Sequence, residues 1–159
     1  MKRHMMLMTM RFLTIAIILV PASVFGQSAS SGATGAGEGS VPGGTTFSGV
    51  SVSVLQFGMG VFTPGDTTAA GQFQTTLLGT SALGQPQNIE IDGNAASGAI
   101  NLDGTRTFSG TATVDMGDGT PPLTAVPFTV IASINTLLVT VGVSNLPLVS
   151  LTFGSITID

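Results

Sequence analysis

The chain has 159 residues, a formal net charge of −4, and no Cys, Trp or Tyr. Its only Lys and only His, Lys2 and His4, lie near the N-terminus with Arg3 and Arg11, so beyond residue 26 Arg106 is the sole basic side chain against eight acids. A chain this poor in cations cannot neutralise phosphates, which argues against nucleic acid and against anionic lipid as partners. Once the N-terminus is removed, it also lacks the usual ligands of zinc, haem and iron–sulfur sites and any His or Lys base to activate a nucleophile.

Residues 1–26 read as a secretory signal peptide with an expected helix. Lys2, Arg3 and Arg11 form a basic start, residues 12–20 an apolar run, and Pro21 ends that run. Val24 and Gly26 supply the small residues of a cleavage site before Gln27. The apolar run is far shorter than the roughly 20 residues that span a bilayer. The reading implies a secreted protein, extracellular or periplasmic, with no stable membrane insertion after cleavage.

Residues 27–44 are small and turn-forming, with a single charge at Glu38. That composition buries too little apolar area to offset chain entropy, so this stretch reads as a flexible, disordered Gly/Ser-rich linker. From residue 45 to residue 159 the texture becomes β-branched with period-two alternation. Val50, Val52 and Val54 alternate with serines, then Leu55, Phe57, Met59 and Val61 continue in the opposite phase. The slip predicts a bulge near Val54 and Leu55. Pro64-Gly65 marks a turn, and residues 72–80 form a strand with Phe73, Thr75 and Leu77 on one side.

A short strand is expected over residues 88–92, closed by Asp92-Gly93, and another over 99–102, closed by Asp103-Gly104 as a hairpin. Residues 105–114 read as a strand and 115–122 as a loop. The remaining strands are expected at 123–133, 137–143 and 149–158, in a final third that carries no charge from residue 120 to residue 158. The sum is an all-β protein: a single small antiparallel β-sandwich or small barrel of about eight strands, its core built from Val, Ile and Leu. Phe47, Phe57, Phe62, Phe73, Phe108, Phe128 and Phe153 join that core. Thr46-Phe47-Ser48-Gly49 is identical to Thr107-Phe108-Ser109-Gly110, but the match is not sustained into a repeat.

Few residues carry chemistry. Glu90 and Asp92 fall on one side of a strand at a spacing a paired-carboxylate hydrolase could use, but sugar-stacking Trp and Tyr are missing. Asp115 and Asp118, in the Gly-rich loop Asp115-Met116-Gly117-Asp118-Gly119, offer hard oxygen ligands suited to calcium. Asp-Gly is equally ordinary turn chemistry. Arg106 reads as half of a surface pair with Asp103. No catalytic residue and no other cofactor is expected.

The function expected is that of a non-catalytic secreted or cell-surface β-domain with a structural or interaction role. Self-association would run through strand edges such as residues 137–143, which have no gatekeeping charge. The alternative is an extracellular ligand-binding module, for carbohydrate or calcium, using loops at one end of the domain. An outer-membrane barrel would need the aromatic girdles that this chain lacks.

Overall fold

A computed structural model of the chain describes residues 31–64 and 67–159. The signal peptide, its expected helix and its cleavage point lie outside the described residues, as does half of the turn at Pro64. Among the described residues ten strands and no helix form: β1 (Ser31–Ser40), β2 (Thr46–Phe47), β3 (Val50–Thr63), β4 (Thr68–Thr80), β5 (Pro86–Ile100), β6 (Arg106–Asp115), β7 (Leu123–Ala132), β8 (Thr136–Val141), β9 (Ser144–Asn145) and β10 (Val149–Ile158). All pair antiparallel in one sheet, nine of them in the order β1-β10-β8-β7-β6-β5-β4-β3-β2, with β9 off this path beside β8. Because β1 also pairs with β3, the long strands form a closed circuit of hydrogen bonds. Its narrow point is β8 to β10, joined only at Val149–Leu137 and Ser150–Thr136.

The largest departure from the sequence reading is β1. Residues 31–40 of the supposed linker are a strand held on both sides, from Ser31–Thr63 to Ser40–Val54 against β3 and from Ala33–Ile158 to Ser40–Ser150 against β10. Its glycines answer a lack of space. A side chain at Gly35 would run into the carbonyl oxygen of Ser155, and one at Gly37 into that of Phe153. Composition suggested flexibility, whereas two flanking ladders offset the entropy that glycine loses on ordering.

Elsewhere alternation sets the inside and the outside. On β3 the inward residues are Val50 and Val52, then Leu55, Phe57, Met59 and Val61, and the β3–β4 register shifts between Val52 and Val54 as the phase slip requires. Phe73, Thr75 and Leu77 all face inward from β4. Residues 86–100 are a single strand, not two: Asp92-Gly93 lies within it and makes no turn. Gly93 is there because a Cβ would come within 2.8 Å of the Phe128 ring.

That ring belongs to the centre of the core. Phe73, Phe108 and Phe128 are buried, with centroids 6.0–6.4 Å apart, Phe108 edge-on to the other two. Phe62 and Phe153, expected in the core, face out and are 44% and 78% exposed. Phe62 lies between inward Val61 and Thr63, so the pleat points it away from the interior.

Asp103-Gly104 does close a hairpin. Asn101 donates its N–H to Thr105 and Gly104 donates to Asn101, with Gly104 at φ 84°. Ser48-Gly49 is a second hairpin turn, joining β2 to β3 with both residues at positive φ. Its twin Ser109-Gly110 lies inside β6, paired to β5 and β7, so the two matching tetrapeptides adopt different structures.

Arg106 is not a surface residue. It is 8% exposed and closes one end of the sheet. Its Nε donates to Ser31 Oγ at 3.2 Å, its Nη1 to the carbonyls of Gly104 and Thr105, and its Nη2 to the main-chain oxygen of Asp159. Ser31 Oγ donates to the same Asp159 oxygen at 2.6 Å, and Thr63 Oγ1 donates to the Ser31 carbonyl at 2.9 Å. This polar plug ties the starts of β1 and β6 and the end of β3 to Asp159, just beyond β10.

Candidate functional site

The opposite end of the sheet is apolar and open. The Ser48-Gly49 turn, the 116–122 loop and the β8–β9 turn surround a pocket of about 170 Å³. Buried Phe47, Val114 and Val141 form its floor. Met116 and Val126, partly buried, form its walls. Leu123, 58% exposed, and Val143, fully exposed, stand at its rim. Ser48 and Ser144 are its only side chains with a polar oxygen, and no lining residue is charged.

Two strained positions shape this mouth. Ser48 at φ 48° and Ala125 at φ 56° are the only non-glycine residues with positive φ among those described. Ser48 lines the pocket, and Ala125 lies between the lining residues Leu123 and Val126. The β6–β7 register shifts there, with Ala112 opposite Val126 but Val114 opposite Leu123. Two residues of β7 therefore oppose one of β6, which is a bulge. Such conformations cost on the order of 1–3 kcal/mol each for non-glycine residues and cluster where structure serves function. Neither position stands out in the sequence. Ser48-Gly49 is a turn signal hidden by its resemblance to strand residues 107–110, and Gly142-Val143 reads as the end of a strand.

The residues singled out for chemistry lie apart from the pocket's interior. Asp115 Oδ1 accepts the Gly117 N–H at 2.8 Å, and Asp118 Oδ1 accepts from Thr120 N at 2.9 Å and from Thr120 Oγ1 at 2.6 Å. Both carboxylates therefore shape their own loop. Among the described residues no group of three or more His, Cys, Asp or Glu is placed to hold a metal ion. Glu90 and Asp92 are exposed on the outward face of β5, Glu90 directly opposite Asp115. Asp103, instead of pairing with Arg106, accepts from Thr105 Oγ1 and Thr105 N.

The Thr120 and Thr105 hydroxyls, then the main-chain N–H groups of the same residues, hold the Asp118 and Asp103 carboxyls below the usual 3.8. A carboxyl depressed in the folded state contributes stability above its unfolded pKa and loses it as pH falls through the lower folded value. The Asp103→Ala/Asp118→Ala variant is therefore expected to melt below the parent at neutral pH and to converge with it in acid. Melting curves from pH 7 to about pH 2 check this, and parallel curves would show that the two turns store no pH-dependent stability.

The chain matches no protein-family model, no curated protein and no solved structure.

Proposed function

We propose that the domain is a non-catalytic component of the cell surface or extracellular matrix that acts by contact between copies of itself, through the open edge of β10. The observation that carries this reading is the β10 edge. Past Leu151, whose N–H still donates to the Asn135 carbonyl, β10 pairs with β1 alone, so among the described residues the other side of Thr152–Ile158 has no strand beside it. That stretch has no charge and no proline, and Phe153 stands exposed on it. Such an edge is a template for strand addition. Residues 137–143, the edge named from the sequence, are not one: β8 lies between β7 on one side and β9 and β10 on the other.

A second copy is the fitting partner. Two antiparallel β10 edges make a self-complementary contact about a two-fold axis, and the edge is uncharged while acids such as Glu90 and Asp92 lie on another part of the surface. A non-catalytic role is supported by chemistry: Arg106, the one cation among the described residues, is committed to the polar plug. The outward residues Gln72, Gln74, Glu90, Asp92 and Asn94 are polar, the reverse of a lipid-facing barrel. We read the closed circuit as a small barrel rather than a sandwich, because each long strand finds a neighbour on both sides over part of its length. Export rests on the leader sequence.

Light scattering coupled to size exclusion tests the reading on residues 27–159. The parent chain is expected to associate as concentration rises. Ser155→Lys/Thr157→Lys, which places charge along the exposed edge, is expected to stay monomeric with an unchanged melting temperature. A parent chain that stays monomeric at millimolar concentration overturns the proposal.

A further inference from the structure

We propose that the mouth between the Ser48-Gly49 turn and the β8–β9 turn binds a small, neutral, mainly hydrocarbon molecule of ring size, with one hydroxyl-type group directed at the rim. This goes beyond self-association along β10, which uses a different face.

Size sets the first limit. The pocket holds about 170 Å³. An enclosed cavity of about 150 Å³ lined by aliphatic and aromatic side chains takes up benzene or xenon, which gives the scale for a mouth of this volume. A molecule of six to ten non-hydrogen atoms is therefore the fitting scale, and a sugar chain or a long acyl chain is not. Lining sets the second limit. Phe47, Val114 and Val141 at the floor offer no hydrogen bond from a side chain, so a buried polar group there would remain unpaired. Only Ser48 and Ser144 could meet a single polar substituent, by donating or accepting through a hydroxyl.

Charge sets the third limit. No lining residue is ionisable, while the loop between Met116 and Leu123 carries Asp118, and Asp115 directly precedes Met116. An anionic ligand would give up its hydration with no cation in the lining to receive it, beside a chain segment whose charges are all negative. A neutral ligand meets no such barrier.

The backbone points the same way. Both non-glycine residues with positive φ lie at this mouth. The bulge at Ala125 displaces Leu123 from regular register, and among the described residues Leu123 and Val143 stand largely exposed at the rim. Strain that keeps an apolar mouth open is disadvantageous for a domain that needs only a sealed core. Mouths of closed sheets are a common place for ligands.

The test is a titration of residues 27–159, in the monomeric Ser155→Lys/Thr157→Lys background, followed by methyl NMR. Benzyl alcohol is the neutral probe, benzoate the anionic one of the same size, and glucose the polar one. Benzyl alcohol is expected to shift the Met116, Val126 and Val141 methyl signals saturably in the millimolar range and to raise the melting temperature. Benzoate and glucose are expected to leave those signals unmoved. Leu123→Asp/Val143→Asp, which alters only exposed rim side chains, is expected to fold normally and to weaken benzyl alcohol binding by roughly tenfold or more through the cost of desolvating charge. The proposal is overturned by any of three results: no saturable shift with benzyl alcohol, equal shifts with benzoate, or binding that survives in the rim variant.

Discussion

A chain beginning at Thr45 is expected to lose its cooperative melt, whereas one beginning at Ser31 keeps it. The composition of residues 27–44 would suggest that both behave alike. The structure places β1 between β3 and β10 over most of its length, so removing it opens the closed circuit and leaves two long strands with bare edges. It also removes Ser31, on which the polar plug around Arg106 depends. Each lost ladder hydrogen bond is worth only about 0.5–1.5 kcal/mol net. A double ladder of this length nonetheless rivals the whole stability of a small domain, about 5–15 kcal/mol.

A point substitution tests the same claim without deletion. Gly37→Val places a branched side chain against the Phe153 carbonyl, where the neighbouring backbone leaves no room. Overpacking of this kind costs about 1–3 kcal/mol and sometimes more. Gly43→Val, where nothing lies within 4 Å of the added Cβ, is expected to change little. Urea unfolding of the pair separates the two explanations. Equal midpoints would mean that β1 glycines are spacers and that the strand contributes little.

Phe73→Ala is expected to cost about 3–5 kcal/mol, the range for emptying a buried aromatic site. For a domain of this size that is a fall of roughly 10–20 °C in Tm. Phe73 is fully buried and touches both other rings of the aromatic triad, at 6.0 Å from Phe108 and 6.1 Å from Phe128. Phe128 cannot move in to fill the gap without leaving its seat over Gly93. Phe153→Ala serves as the control, because its ring is 78% exposed and surface truncations stay within about 0.5 kcal/mol. Calorimetry of the two variants measures the difference. Comparable losses would place Phe153 in a buried contact, such as the self-association edge, and would then depend on protein concentration.

Much of the strand pattern was legible because alternation is local. The phase slip after Val54, the inward row Phe73, Thr75 and Leu77, and the strand at Val149–Ile158 all follow from side chains that share a pleat. The Asp103-Gly104 hairpin was legible because a left-handed residue after a turn favours glycine. Asp92-Gly93 carried the same signal and misled, since its glycine serves a ring on another strand rather than a turn. The make-up of the candidate site was not legible in the sequence. The mouth depends on Ser48, Ala125 and Gly142-Val143, three turns or bulges far apart in the chain that meet only once the sheet closes.

Read alone, the chain established the strand-forming texture, most inward-facing positions, and the scarcity of proton-transferring side chains after residue 26, because each is a property of composition or of neighbours along one strand. Three things came from the folded structure: glycine-rich residues 31–40 hold the sheet together, Arg106 is buried, and the apolar opening lies beside Ser48 and Val143. Each depends on contacts between residues as distant as Ser31 and Asp159, 128 positions apart, where available space and main-chain partners are set by the whole ladder.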